Sequence, residues 1–403
     1  MTAFSEEQRV LLQLLSRALF AAPLQLPETI DWASVFAEAA AQAVSPLAFS
    51  VAEPYLSESV CGQWRAHAAQ AVSHSLRLRY EHGRLHRLLS SADIPYVVLK
   101  GPVSASYYPV PVLRMLGDVD FLVRQEDFPR AGKLLSAAGF QAVRNNVHEA
   151  HLAFSGEIAT WEMHRSLAGI PSGIAGQRIH ALLDGMIDSA FLFCDGDDSY
   201  CAPDRFHHGL TLLLHSAQHM TTSGIGLRHL ADWAVFIGSV SDAEFSAHFA
   251  EPLRAIGLYR FAQILTLLCS DSLGLPPRAF AADACSAEDR QLLLADILSG
   301  GNFGHKRSDY LEEDRLLHMR AADGSRPSVL QSSIKVLNER ACKAAPVLKK
   351  LPVLLPLGWM FVLCRRILRG FAGKQPVVHP LELYRKTSER KTLYKVLKLY
   401  RME

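Results

Sequence analysis

Two aspartates with one residue between them open an apolar run in the first third of the sequence. Asp118 and Asp120 belong to residues 118–123, which read DVDFLV. Side chains of a strand alternate between faces, so a strand here places both carboxylates on one side. Two carboxylates on an otherwise apolar strand cost free energy unless a cation or hydrogen-bond donors satisfy them. The pattern predicts a site for a hard divalent cation, typically Mg²⁺, which usually binds together with substrate phosphates.

Another predicted strand ends in a glycine turn shortly before the aspartates. Residues 96–99, YVVL, follow Pro95 and stop at Lys100 and Gly101. Glycine supplies the backbone freedom that such a turn requires. Residues 96–124 therefore predict a strand, a turn, a short helix, a proline-bounded loop and a second strand.

A further acidic residue lies in a predicted hairpin downstream. Residues 151–155 and 158–164 form its two arms around Gly156. In the second arm, the period of two places Glu162 and His164 on the same face. The carboxylate of Glu162 and the imidazole of His164 can therefore contact side chains of a neighbouring strand.

This combination resembles the nucleotidyltransferase superfamily that includes DNA polymerase beta, whose members have a glycine turn after one strand and an Asp-x-Asp pair opening the next. A longer string is similar to a bacterial family of uncharacterised nucleotidyltransferases. That string consists of Leu99, Lys100, Gly101, Tyr107 or Tyr108, Pro109, Arg114 and residues 118–123. Glu162 and His164 match the acid-x-His pattern of the same family. The resemblance is strongest over residues 76–235.

The resemblance implies an α/β plus helical fold, in which a small mixed-sheet nucleotidyltransferase core is embedded between N-terminal and C-terminal helical regions. It also implies metal-dependent transfer of a nucleoside monophosphate from a nucleoside triphosphate to an acceptor, which is a small molecule, a peptide or a protein. We expect AMP from ATP, because ATP is the abundant triphosphate. In such enzymes two Mg²⁺ or Mn²⁺ ions about 3.5–4 Å apart neutralise the phosphates and align the reacting groups.

The resemblance assigns the catalytic and metal-binding roles to three carboxylates. Asp118 and Asp120 are expected to hold the ion on the nucleotide side. Glu162 is expected to join them at the second ion and to help deprotonate the acceptor hydroxyl. His164 is expected either to orient one of these acids or to be a satisfied polar residue of the core.

The expected nucleotide-binding residues are Lys100, Gly101, Ser104 and Arg114. Lys100 would bind phosphate as a point charge and Arg114 as a planar fork. The alternatives are a solvated strand end for Lys100 and a structural salt bridge to one of the acids for Arg114. Pro102 stands where the superfamily usually has a second glycine or a serine. Because proline has no backbone N–H, Ser104 or the amide of Val103 would have to replace that phosphate contact. The alternative function is a catalytically inactive nucleotidyltransferase fold that acts as a binding or regulatory subunit.

Histidines are concentrated between residues 207 and 229. His215 and His219 are four residues apart and share a helix face, but the sequence HSAQH lacks the glutamate of the zinc-hydrolase motif. The favoured interpretation is polar packing, or a lining of the cleft beneath the nucleotide together with Arg228 and Asp232. His215 is the expected cleft residue.

Composition indicates an ordinary globular chain of 403 residues, 49% hydrophobic and 20% charged. Its seven scattered cysteines form no CxxC pair, which argues against a disulfide framework or a cysteine zinc site and favours a cytoplasmic protein. The net charge is only +2, but residues 331–403 carry sixteen Lys and Arg against four Asp and Glu. This basic tail predicts an anionic membrane surface, nucleic acid or an acidic protein as its partner, although it lacks any recognised base-reading motif.

Four regions are predicted: N-terminal helices over 1–92, the nucleotidyltransferase core over 93–200, a helical domain over 201–325 and the basic helical tail over 326–403. Residues 165–200 are expected to be rich in loops, 300–305 to be a flexible break and 320–328 to be a linker. In the tail, residues 351–364 are uncharged but too short to span a membrane, which takes ~20 apolar residues. They predict either a buried helix or an interfacial helix that makes the protein a peripheral membrane scaffold.

Overall fold

The structure is a computed structural model that describes residues 4–147, 150–306, 334, 337–338, 341–342, 345, 348, 354–371, 390 and 392–402. The strands are β1 (Tyr96–Val98), β2 (Val119–Val123), β3 (Gln141–Val147), β4 (His151–Ser155), β5 (Thr160–His164), β6 (Phe191–Asp195) and β7 (Asp198–Ala202). The helices before and within the sheet region are α1 (Glu6–Phe20), α2 (Trp32–Ala41), α3 (Ser45–Ala52), α4 (Glu58–Ser91), α5 (Pro102–Ala105), α6 (Phe128–Ala137) and α7 (Ile174–Leu183). Those after it are α8 (Arg205–Met220), α9 (Leu227–Gly238), α10 (Asp242–Glu244), α11 (Ala250–Ala255), α12 (Tyr259–Leu273), α13 (Ala287–Gly300) and α14 (Leu355–Phe371).

The first five strands form one mixed sheet in the order β1-β2-β5-β4-β3. β2 and β5 are parallel neighbours, whereas the other adjacent strands run antiparallel. β6 and β7 form a separate hairpin. Helices on both sides of a mixed sheet confirm the predicted α/β plus helical fold.

The long helix α4 packs along the sheet and holds its central strands in place. Its apolar residues Leu78, Leu85 and Leu89 recur at helical spacing and are fully buried in the core that contains the sheet. A polar contact crosses the same interface, because Trp161 Nε1 of β5 donates to Glu81 Oε2 at 3.1 Å. α4 therefore positions β5, the strand that carries Glu162.

The helices from the two ends of the chain share a second hydrophobic core. Leu11 of α1 and Leu47 of α3 belong to the same buried cluster as Leu213 of α8, Phe236 of α9 and Leu265 of α12. The helices of residues 4–92 and 201–306 thus pack together, with the sheet region inserted between them in the sequence.

Two local predictions were wrong. Residues 165–200 contain α7 and the hairpin β6–β7 rather than mainly loops; Tyr200 of β7 is fully buried against the sheet core, and packing of this kind is not visible in local composition. The alanine-rich sequence also predicts one helix over 32–44 that stops before Pro46, whereas α2 ends at Ala41 and α3 begins before Pro46, because proline is well tolerated in a first helical turn. The predicted break at 300–305 follows the end of α13 and contains a short 3-10 helix, Asn302–Gly304; its flexibility stays a prediction. The predicted linker at 320–328 lies outside the described residues.

The last described residues belong to the helical core. Leu393 and Leu397 are buried in the same cluster as α8 and α9, and Tyr394 Oη donates to the carbonyl of Met220 at 2.5 Å. The backbone N–H of Tyr400 donates to the carbonyl of Gly257 at 3.0 Å. This end of the predicted basic tail is therefore packed against the rest of the chain.

None of the described helices is long and apolar enough to cross a membrane. α14, which covers much of the uncharged run, exposes Leu357, Met360 and Phe361 by more than half. Its apolar side chains are therefore not all buried against the helical core.

Candidate active site

The turn after β1 has the conformation for which glycine is suited. Gly101 has φ +70° and ψ −119°, a combination that side-chain-bearing residues rarely adopt. A Cβ at this position would lie 3.4 Å from Nε2 of the buried His82. Pro102 follows in the first turn of α5, where its missing N–H breaks no helical hydrogen bond. Ser104 is 1% exposed, and its Oγ has no hydrogen-bond partner among the described residues.

Two of the three predicted carboxylates face each other on neighbouring strands. Asp120 of β2 and Glu162 of β5 are direct Cα partners in the parallel pair. Asp118 lies immediately before β2, so its side chain enters the site from the connecting loop. The family resemblance predicted that the three acids lie together, and the pairing of β2 with β5 brings Asp120 next to Glu162.

Lys100 and His164 contact the buried carboxylate of Asp120, which is 3% exposed. Lys100 Nζ lies 2.8 Å from Asp120 Oδ2. His164 Nε2 lies 3.1 Å from Asp120 Oδ1 and 3.7 Å from Glu162 Oε2. Lys100 is therefore not a solvated strand end, and His164 bridges two acids.

The charges in this site shift the pKa values of its acids in opposite directions. Burial, reinforced by the negative charges of Asp120 and Asp118, raises the pKa of Glu162 to about 7. Burial and the charge of Asp120 also raise the pKa of Asp118. Although burial opposes ionisation of Asp120, the Lys100 ammonium and His164 hold its pKa well below the ordinary value. The site therefore contains more negative charge than its own cations compensate.

The donor set fits a hard divalent cation. One ligand atom each from Asp120, Glu162 and His164 lies within 4.8 Å of the others. Asp120 Oδ2 has no hydrogen-bond donor of good geometry among the described residues, despite its ion pair with Lys100. Carboxylate oxygens are the ligands that Mg²⁺ and Mn²⁺ prefer. Asp120, Glu162 and His164 are the described residues close enough to share such an ion; a ligand role for Asp118 stays a prediction.

Arg114 forms a structural salt bridge, but its partner is Asp232 and not one of the three predicted acids. Its Nε and Nη2 donate to the two carboxylate oxygens of Asp232, each at 2.7 Å. Tyr108 Oη donates to the same carboxylate at 2.7 Å, and all three side chains are buried. The partner is on α9, not on the sheet, so this ion pair joins the loop before β2 to the helical core.

A cleft of about 270 Å³ opens beside the carboxylates. It lies between the turn after β1, the loop before β2 and helices α8 and α9. Residues that line it include Lys100, Asp118, His215, Arg228, His229 and Phe303. His215 thus lies in the cleft, as the sequence predicted.

The histidines of α8 and α9 form a chain of contacts that begins at Lys100. His215 Nε2 lies 3.0 Å from Lys100 Nζ and 3.0 Å from His219 Nε2. His229 packs on both rings, and Phe303 packs against all three histidines. Sequence reasoning missed Phe303, whose only signal was a large aromatic residue in a glycine-rich segment.

Comparisons with known proteins agree with this geometry. The model of a protein family described as "Uncharacterised nucleotidyltransferase" matches residues 28–274. No curated protein and no solved structure matches the chain. The matched range includes the whole sheet, the three acids and helices α8 and α9.

Proposed function

The chain belongs to the uncharacterised nucleotidyltransferase family, and from that premise we propose that it moves a nucleoside monophosphate from a nucleoside triphosphate to an acceptor. AMP from ATP is the first choice, because ATP is the abundant triphosphate. The acceptor is a small molecule, a peptide or a protein side chain.

The observation that carries this proposal is the opposition of Asp120 and Glu162 across the parallel strands. Burial, reinforced by repulsion from Asp120 and Asp118, raises the pKa of Glu162 to about 7 despite the counter-charges of His164 and Lys100. A buried group of acids with raised pKa values marks a cation site. A bound Mg²⁺ or Mn²⁺ ion would supply charge neutralisation of the phosphates.

The side chains of the site have distinct roles in the proposed reaction. Glu162, whose pKa lies near neutrality and whose side chain is 26% exposed, accepts the proton of the acceptor hydroxyl. His164 orients Asp120 and Glu162 through its contacts to both. Lys100 holds Asp120 ionised and supplies positive charge at the edge of the cleft.

A second candidate is a catalytically inactive binding or regulatory protein of the same fold. Two observations favour it: Pro102 removes a backbone donor from the turn, and Lys100 already provides a counter-charge for Asp120. In that case the site would bind a nucleotide weakly or not at all, and divalent cations would not change the binding.

The test is titration calorimetry of the full chain with a non-hydrolysable ATP analogue, in Mg²⁺, in Mn²⁺ and in EDTA. The site variant is Asp118→Asn/Asp120→Asn. The matched control is Asp188→Asn, since Asp188 is 67% exposed and pairs with Arg124 outside the site. We expect binding that requires the cation, is lost in the site variant and is kept in the control.

Protein that binds would then be incubated with α-phosphate-labelled ATP, GTP, CTP and UTP. Label retained on the chain itself or on an added acceptor fraction identifies the nucleotide and the acceptor class. If no triphosphate analogue binds to the unmodified chain under any of the three conditions, the transferase proposal is rejected in favour of the inactive fold.

A further inference from the structure

The cleft beside the carboxylates has a lining whose hydrogens can be assigned from the contacts. Lys100 Nζ, which carries donors only, lies 3.0 Å from His215 Nε2. His215 Nε2 must therefore accept, which places the proton of the neutral ring on Nδ1. The Nε2 atom of His215 is therefore already engaged by the ammonium of Lys100.

His219 continues this arrangement as a donor. Because His215 Nε2 is an acceptor, the hydrogen between the two rings, whose Nε2 atoms are 3.0 Å apart, belongs to His219 and shares the single lone pair of His215 Nε2 with Lys100. His219 Nδ1, 2.7 Å from Ser223 Oγ, then accepts from that hydroxyl. Both ring nitrogens of His219 have partners within the protein.

His229 differs because its ring N–H has no hydrogen-bond partner among the described residues. The backbone N–H of Gly226 donates to His229 Nδ1 at 3.3 Å, so the ring hydrogen is on Nε2. His229 is only 5% exposed, lines the cleft, and its Nε2 has no hydrogen-bond partner among the described residues. A buried N–H without an acceptor costs free energy, and a ligand that accepts its hydrogen bond removes that cost.

Arg228 adds a full positive charge to the same wall. One of its nitrogens donates to the carbonyl of Met115 at 3.3 Å, and its guanidinium lies 5.3 Å from the centre of the Phe303 ring. It forms no ion pair with a described carboxylate. Asp232, which also lines the cleft, is occupied by Arg114 and Tyr108.

A metal ion is a poor occupant of the histidine cluster, although three ring nitrogens of His215, His219 and His229 lie within 4.8 Å of one another. A metal requires a lone pair from each ring. Here one lone pair is used by Lys100, and the other two Nε2 atoms carry hydrogens. The lining therefore offers donors and positive charge.

We propose that Lys100, Arg228 and His229 form a polyphosphate site, which receives the β- and γ-phosphates of the nucleotide and retains pyrophosphate after transfer. Arginine and lysine bind phosphate through charge-assisted hydrogen bonds, and the buried imidazole N–H adds a neutral donor. Asp118 lies at the mouth of this cleft, so the α-phosphate is placed toward the carboxylates. The assignment of the polyphosphate to the tail of a nucleotide rests on the proposed function. The assignment of an anion site to these three residues does not rest on it.

The test is titration of the full chain with inorganic pyrophosphate and tripolyphosphate in EDTA, so that the cation site contributes nothing. We expect binding that is weakened about tenfold to a hundredfold by Arg228→Gln, as for loss of a hydrogen bond to a charged group. Arg228→Lys is expected to restore part of the affinity, and His229→Leu to weaken it less than Arg228→Gln. Arg205→Gln, at a half-exposed arginine on the far end of α8, is the matched control.

Thermal unfolding of each variant without ligand verifies that it is folded. Absence of pyrophosphate binding to the unmodified chain, or equal binding in folded Arg228→Gln, overturns the proposal. A Co²⁺ absorption band that is lost in His215→Asn/His219→Asn also overturns it, because it assigns the cluster to a metal ion.

Two further measurements separate this proposal from the proposed function. Asp118→Asn/Asp120→Asn is expected to keep pyrophosphate binding in EDTA even though it loses cation-dependent nucleotide binding. Competition between pyrophosphate and the ATP analogue on the unmodified chain supports the nucleotide tail as the source of the anion. Simultaneous binding of both rejects that assignment.

Discussion

Asp120 and Glu162 are direct Cα partners on the parallel strands β2 and β5, and His164 lies within 4 Å of a carboxylate oxygen of each. The two acids come from strands that are distant in the sequence, and no local pattern pairs them. Burial and the neighbouring charge of Asp120 raise the pKa of Glu162, while Lys100 keeps Asp120 ionised. Asp120 and Glu162, which are paired across the two strands and have pKa values shifted in opposite directions, form the centre of the proposed site.

Substitution of Asp120 should lower the pKa of Glu162. In Asp120→Asn, loss of the neighbouring charge moves the pKa of Glu162 from about 7 toward its ordinary value, whereas Asp118→Asn, a weaker contributor, moves it less. Carboxyl ¹³C NMR titration without divalent cations measures both shifts. Equal or absent shifts in the two variants would contradict the geometry of the site.

His164→Ala should weaken cation binding without abolishing it. His164 touches Asp120 and Glu162 and orients them, and loss of such orienting groups typically costs about 10–100-fold in metal affinity. Mn²⁺ binding followed by electron paramagnetic resonance is the measurement. His180→Ala, on α7 outside the site, is the control; a loss as large as that of Asp120→Asn would make His164 a direct ligand.

Asp232→Asn should destabilise the fold more than it affects chemistry. It leaves the buried guanidinium of Arg114 without its carboxylate, which typically costs about 3–5 kcal/mol of unfolding free energy. The control is Glu53→Gln, whose partner Arg65 is 62% exposed and whose loss should cost less than about 1 kcal/mol. Urea unfolding compares the two, and equal effects would remove Arg114 from its structural role.

His208 should make the protein sensitive to acid. Its ring is fully buried, and burial lowers its pKa to about 4, below the 6.5 of an unfolded histidine. The unfolded chain therefore takes up a proton first as pH falls below 6.5, and stability is lost between about pH 6.5 and pH 4, by roughly 3 kcal/mol for this group.

His208→Phe keeps an aromatic ring against Tyr107 and Phe236 and cannot bind a proton. Chemical denaturation across this pH range should give a shallower slope for this variant than for the unmodified chain. Identical slopes would show that His208 is accessible to protons in the folded state.

Leu397→Ala should destabilise the helical core although it lies close to the end of the sequence. Leu397 is fully buried, so its truncation is expected to cost about 2–5 kcal/mol. Lys395→Ala, on the exposed side of the same segment, should change stability by less than about 0.5 kcal/mol. Equal midpoints for these two variants in thermal unfolding would show that the segment is not part of the core.

Much of the candidate site was predictable because its signals are local. Alternation along a strand places Asp118 and Asp120, and likewise Glu162 and His164, on common faces, and the glycine turn at Gly101 requires a conformation that other residues avoid. Helical periodicity predicts a long helix over about 59–91, which agrees with α4 (Glu58–Ser91) to within one residue. Each of these inferences depends on a few neighbouring positions in the sequence.

The sequence by itself thus determined the family, the acids and the strands that carry them. Only the tertiary structure decided which groups meet: Asp232 as the partner of Arg114, His215 as the neighbour of Lys100, and Phe303 against the histidines. Periodicity determines the face on which a side chain lies, whereas its partner on another element depends on strand order and helix packing between distant parts of the chain. The hairpin β6–β7 was missed for the same reason, since burial against α4 and β1 stabilises it more than its own composition does.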